Sequence, residues 1–95
     1  MNPVTRTLHS YLTEYASGHP QRKLLGDGCG WLNAGQTLDK VNTLADQMCR
    51  RGIHRGDLVA LRAYRTVNTS LWILALQRIG AVAVLTDPRH DTITF

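Results

Sequence analysis

The stretch Met48–Arg62, MCRRGIHRGDLVALR, decides how this chain is read. Two arginines run into a glycine, a second glycine follows beside an aspartate, and an apolar run comes next. One reading is a basic patch for nucleic acid. The other is architecture: a helix ends, the chain turns and a strand begins. Arg50 and Arg51 fall in the last helical turn, where a cation offsets the negative end of the helix dipole by about 0.3–1 kcal/mol. Gly52 stands where the chain leaves the helix, in a left-handed conformation that costs other residues about 1–2 kcal/mol. Ile53 is then placed to pack back on Met48. His54–Asp57 supplies turn residues, and LVALR at 58–62 is a short apolar run suited to a buried strand. Architecture accounts for both glycines and both arginines without nucleic acid.

Upstream, Asn33 followed by Gln36 fits a capping box, in which the Asn side chain accepts from an early amide and Gln reaches back. Leu38, Val41, Leu44, Ala45, Met48 and Cys49 then recur at steps of three and four, predicting one buried helical stripe. Before that helix stands KLLGDGCGWLN, residues 23–33. Its arms, Lys23–Leu25 and Trp31–Leu32, flank Asp27-Gly28, and the glycines supply the positive φ angles of a β-hairpin turn. The spacing Gly26-x-Gly28-x-Gly30 invites a phosphate-loop reading. Such a loop must lead into a helix whose first amides hold the phosphate, whereas these glycines lead into another strand-like arm. Further upstream, Leu8, Tyr11, Leu12, Tyr15 and Ala16 mark one face of a short helix ending near Gly18, with Pro20 beyond.

Downstream, Thr66 is a plausible N-cap. Val67, Leu71, Leu74, Ala75 and Ile79 trace an inner helical face, and Trp72, Ile73 and Leu76 make the helix apolar nearly all round, predicting burial on more than one side. Gly80 ends it. AVAVLT at 81–86 predicts a second buried strand closed by Asp87-Pro88. Strand, helix and strand in about thirty residues make a parallel right-handed crossover unit. The tail RHDTITF, 89–95, carries no pattern, and there are no repeats.

Bulk composition sets limits. The chain has 95 residues, a net charge of +4 and 43% hydrophobic residues, enough for one small folded unit. Cys29 and Cys49 are far apart and make no disulfide scaffold, which favours a reduced, cytoplasmic setting. His9, His19, His54 and His90 show no metal-ligand spacing. The first twenty residues lack the apolar segment of a signal peptide. The most apolar stretch, SLWILALQRIGAVAVL, is interrupted by Gln77, Arg78 and Gly80 and does not suit a span of about 30 Å.

The order of these elements resembles the N-terminal part of the adenylate-forming superfamily: acyl-CoA synthetases, peptide-synthetase adenylation domains and luciferase-like ligases. The resemblance covers nearly the whole chain. It rests on Leu44-Ala45, Gly52-Ile53, Gly56-Asp57 and Val59-Ala60, matching the family's Leu-Ala and Gly-Val-x-x-Gly-Asp-x-Val-Ala. Gly80-Ala81 and Asp87-Pro88 match its Gly-Ala and Pro-Leu-Asp-Pro. Asn33–Thr37 departs from the family's Thr-Tyr-x-Glu-Leu, keeping the capping chemistry and losing an aromatic, and Leu85-Thr86 replaces the usual Pro-Leu. The resemblance implies an α/β fold: an N-terminal helix, a hairpin, a helix and a parallel strand-helix-strand unit that starts the distal sheet subdomain. Residues 1–95 are then one incomplete N-terminal subdomain of a larger AMP-binding ligase.

Such enzymes join a carboxylic acid to AMP using ATP and magnesium, then usually pass the acyl group to the thiol of CoA or of a carrier protein. The Ser/Thr/Gly-rich lysine loop, the magnesium-binding acids and the mobile lysine of that chemistry are absent from this sequence. No catalytic, cofactor-binding or metal residue is therefore assigned. ATP and magnesium belong to the implied parent, and the rest of that parent is the implied partner.

Other candidates have plainer readings. Arg62, Arg65, Arg78 and Arg89 lack the interleaved aromatics of a nucleic-acid surface. Tyr64 and Trp72 could line a ligand pocket or pack in a core or interface. Asp57 is read as a turn residue, and Ser10, Ser17 and Ser70 lack the context of a hydrolase nucleophile. Two functions lead: a structural part of an acid–thiol ligase, inactive alone, or a self-contained small α/β binding or scaffold module; a nucleic-acid module ranks behind both. An open sheet edge and the apolar helix 67–79 also predict self-association.

Overall fold

A computed structural model describes residues 8–28 and 30–87 of the chain. The readings placed on Cys29, Pro88, Arg89, His90 and the tail 89–95 lie outside them. The elements follow the expected order: α1 (Leu8–Gly18), β1 (Lys23–Asp27), β2 (Gly30–Asn33), α2 (Ala34–Arg50), β3 (Leu58–Arg62), α3 (Val67–Ile79) and β4 (Val82–Thr86).

In α1 only part of the expected stripe is inside. Leu12 and Ala16 are buried, whereas Tyr11 and Tyr15 are exposed. A tyrosine at the rim keeps its hydroxyl in water while its ring covers the helix flank. β1 and β2 form an antiparallel hairpin with longer arms than expected, since pairing continues to Asp27↔Gly30. Gly28 is not among the glycines with positive φ. Gly26 pairs with Trp31, and a Cβ at Gly26 would overlap the Trp31 ring. The glycine lets that ring lie across the strand pair.

The capping box of α2 is complete. Asn33 Oδ1 accepts from the Gln36 amide at 2.8 Å, and the Asn33 amide donates to Gln36 Oε1 at 3.0 Å. Val41, Ala45 and Met48 are buried with Ala34 and Thr37. Thr37 enters the core because its hydroxyl donates to the Asn33 carbonyl at 2.8 Å, which removes the cost of burying it. Cys49, expected on the stripe, is exposed. It lies about 100° round the helix from Met48, past the edge of the contact face.

The helix ending matches its reading. Gly52 has φ +93°. The Ile53 amide donates to the Met48 carbonyl and the Gly52 amide to that of Cys49, each at 3.1 Å, closing a Schellman motif. α3 ends the same way. Gly80 has φ +80°, and the Ala81 amide donates to the Leu76 carbonyl at 3.0 Å. Ala81 thus completes the helix ending, and β4 begins one residue later than expected. In the turn between α2 and β3, the Asp57 carboxylate accepts from the His54 amide at 2.7 Å. Gly56 donates to the Gly80 carbonyl at 2.9 Å, and Val82 to that of Asp57 at 2.7 Å. These bonds align β3 with β4, which pair in parallel from Leu58↔Val82 to Arg62↔Thr86.

Leu12, Val41, Ala45, Met48, Leu71, Ala75, Leu76 and Ala81 form the core, with Val59, Leu61 and Ala83 packed against it from the sheet. Neither strand is buried as expected. Leu58 is 70% and Val82 48% exposed. They are register partners facing away from the side chains that meet the helices. Helices cover one face of this sheet, whereas parallel strands are usually covered on both. α3 is apolar nearly all round, but it buries Leu71, Ala75 and Leu76 and leaves Trp72 and Ile73 half-buried.

Candidate functional site

Two recesses meet at the start of α3. Thr66 caps α3: its hydroxyl accepts from the Thr69 amide at 3.2 Å and lies 3.1 Å from the Thr69 hydroxyl. The first turn of α3 holds no acidic residue. A carboxylate reaches it instead from the hairpin, where Asp27 Oδ2 accepts from the Val67 amide at 2.9 Å. An anion at a helix N-terminus meets both an unpaired amide and the positive end of the dipole.

Beneath that contact lies a groove of about 740 Å³ between the hairpin, α2 and the start of α3. Leu32, Leu44 and Leu71 give it apolar walls; Asp39, Lys40 and Asn68 stand along it. A second cleft of about 320 Å³ lies against Leu61, Tyr64, Thr69 and Trp72 and reaches Arg62. The two share Thr66 and Asn68. Ligands of open α/β sheets bind beyond the carboxyl ends of the strands, and the second cleft stands at that end of β3.

The lining suits binding rather than bond-making. Asp27 is engaged by the helix, and the hydroxyls of Thr66 and Thr69 face each other rather than a base. Among the described residues no group of three or more His, Cys, Asp or Glu could hold a metal ion. Among them, too, no helix is long and apolar enough to cross a membrane.

The residues weighed from the sequence are dispersed. Arg62, Tyr64 and Trp72 share the second cleft, and Arg65 is exposed. Arg78 donates to the Asn42 carbonyl at 3.3 Å and lies 3.9 Å from the Asp46 carboxylate. His9 bonds Asn42 at 3.1 Å, His19 lies against the Tyr15 ring, and His54 sits with Asp57 in the turn. Ser17 donates to the Thr13 carbonyl. Ser70 is half-buried in α3, and Ser10 is exposed. Sequence reading missed Asp27, taken as a turn residue. Its partner lies 40 residues away, and no local pattern announces that contact.

The model of the family described as AMP-binding enzyme matches residues 12–92. A linear gramicidin synthase polypeptide from Brevibacillus parabrevis is 28% identical over 88 residues, 93% of this chain and 1% of that protein. A 4-chlorobenzoate–CoA ligase from Arthrobacter is 33% identical over 58 residues, 61% of this chain and 11% of the ligase. Among solved structures, the N-terminal subdomain of NpsA from Klebsiella oxytoca superimposes with a TM-score of 0.84 at 22% identity, covering 90% of this chain and 22% of that one. The chain thus spans a small part of the length of each.

Proposed function

The chain belongs to the family of AMP-binding enzymes, and from that premise we propose that it is the opening structural part of an ATP-dependent acid–thiol ligase. The parent activates a carboxylate as acyl-AMP, using ATP and magnesium, and passes the acyl group to CoA or to a carrier-protein thiol. The chain supplies scaffold to that reaction and is inactive alone. The observation that carries the reading is the family match, which runs unbroken across hairpin, α2 and crossover unit. The exposed Leu58 and Val82 on one face of β3 and β4 support a reading in which the rest of the parent packs there, and we infer a cytoplasmic setting.

Two measurements test the reading. Purified chain, given ATP, magnesium and a panel of carboxylic acids, is expected to release no pyrophosphate above background. DNA downstream of the Phe95 codon is expected to continue in frame into a Ser/Thr/Gly-rich loop with a lysine. An in-frame stop there overturns the ligase reading in favour of a self-contained module, and pyrophosphate release overturns the inactivity.

A further inference from the structure

We propose that Asp27 is a clasp: its carboxylate holds the far end of the β1–β2 hairpin on the first turn of α3 and so sets the width of the groove between them. The near end of the hairpin is fixed independently. The Ala34 amide donates to the Arg22 carbonyl at 2.8 Å, and the Gly35 amide to the Pro20 carbonyl at 3.0 Å. The register is irregular between Lys23 and Leu25, close to that anchored end. From there the two strands have no third strand beside them among the described residues, and a lone hairpin is marginally stable in water. Its hold on the body must come from what it turns inward.

That inward set is small. In β1 only Leu25 and Asp27 are half-buried, and the other three residues are exposed. Toward the far end, then, the inward group is a carboxylate and not an apolar side chain. On the helix side, Thr66 serves the Thr69 amide, which leaves the Val67 amide to Asp27. A bond between a carboxylate and a helix N-terminal amide is among the stronger hydrogen bonds. The groove opens directly under it, with Leu32 on the hairpin side and Leu44 and Leu71 on the helices. Asp39 and Lys40 of α2 are the charged groups on the opposite wall. Releasing the clasp leaves the near-end backbone bonds intact and uncovers those three leucines. The inference concerns this chain's own conformations and does not depend on the ligase reading.

Amide hydrogen exchange on the full chain tests it. In the wild type at low urea, the Val67 amide and the β1 and β2 amides are expected to share one opening step, separate from the Val41–Met48 amides of α2. Asp27→Ala is expected to speed exchange at Val67 and in the hairpin about tenfold or more, as loss of a hydrogen bond to a charged group implies. The α2 amides should change far less. Asp27→Asn, which keeps a side-chain oxygen for Val67, should restore most of the protection. Exchange of Val67 in step with the interior of α3 rather than with the hairpin would overturn the proposal, even if Asp27→Ala did not fold. So would an equal rise at every amide in Asp27→Ala, or no rise at all.

Discussion

Replacing Gly52 isolates a backbone cost, because nothing lies within 4 Å of the position its Cβ would take. Any loss must come from φ +93° itself. An L-residue held in left-handed conformation costs about 1–2 kcal/mol. Losing glycine also stiffens the unfolded chain, which returns about 0.4–1 kcal/mol where the new residue fits. The net for Gly52→Ala is therefore about 0–1.6 kcal/mol. Gly52→Val, β-branched and a genuine outlier at such angles, should lose at least about 1–2 kcal/mol. Gly52→Asn should lose least, since asparagine tolerates this region best after glycine. In a domain of this size 1 kcal/mol moves the melting temperature by about 4–8 °C, so Val should melt about 4–16 °C below the parent. Gly18 is the internal control. It too has open space around it, but its φ is not positive, so Gly18→Ala should be neutral or stabilising by about 0.5–1 kcal/mol. Thermal melts followed by far-UV circular dichroism give the order directly. Equal melting temperatures for the parent, Gly52→Val and Gly52→Asn would refute the reasoning, because the Schellman ending would then carry no conformational demand.

Gly26→Ala should lose roughly 1–3 kcal/mol by overpacking against the Trp31 ring, and the loss should vanish in a Trp31→Ala background, where space opens; an equal loss in both backgrounds refutes the ring contact. The chain alone should self-associate through the uncovered face carrying Leu58 and Val82, and Leu58→Lys should make it more monomeric in sedimentation equilibrium. An unmutated 95-residue chain that stays monomeric at every concentration and melts cooperatively counts against this and favours a self-contained module.

What the sequence showed and what it hid divide by range along the chain. The ends of α2 and α3 were legible because their signals are local: Asn33 with Gln36 spans one turn, and Gly52 and Gly80 act where they stand. The parallel unit was legible because length and turn residues limit how two short apolar runs can meet. Burial within each element was less so. Periodicity placed Cys49 inside and ignored Thr37, since it weighs polarity and not whether a hydroxyl finds a carbonyl four residues back. Exposure of β3 and β4 was missed for another reason: an apolar strand shows that a cover is needed, not that the described residues supply it. Asp27 is the extreme case. In sequence it is half of an Asp-Gly turn; in the structure it serves a helix that begins 40 residues later. The lack of an acid in the first turn of α3 did not mark this out, since α1 and α2 lack one as well. A helix start with a hydroxyl cap and no acid leaves its dipole to be met from elsewhere, and here it is met by a carboxylate at the far end of a hairpin whose β1 otherwise turns in only Leu25.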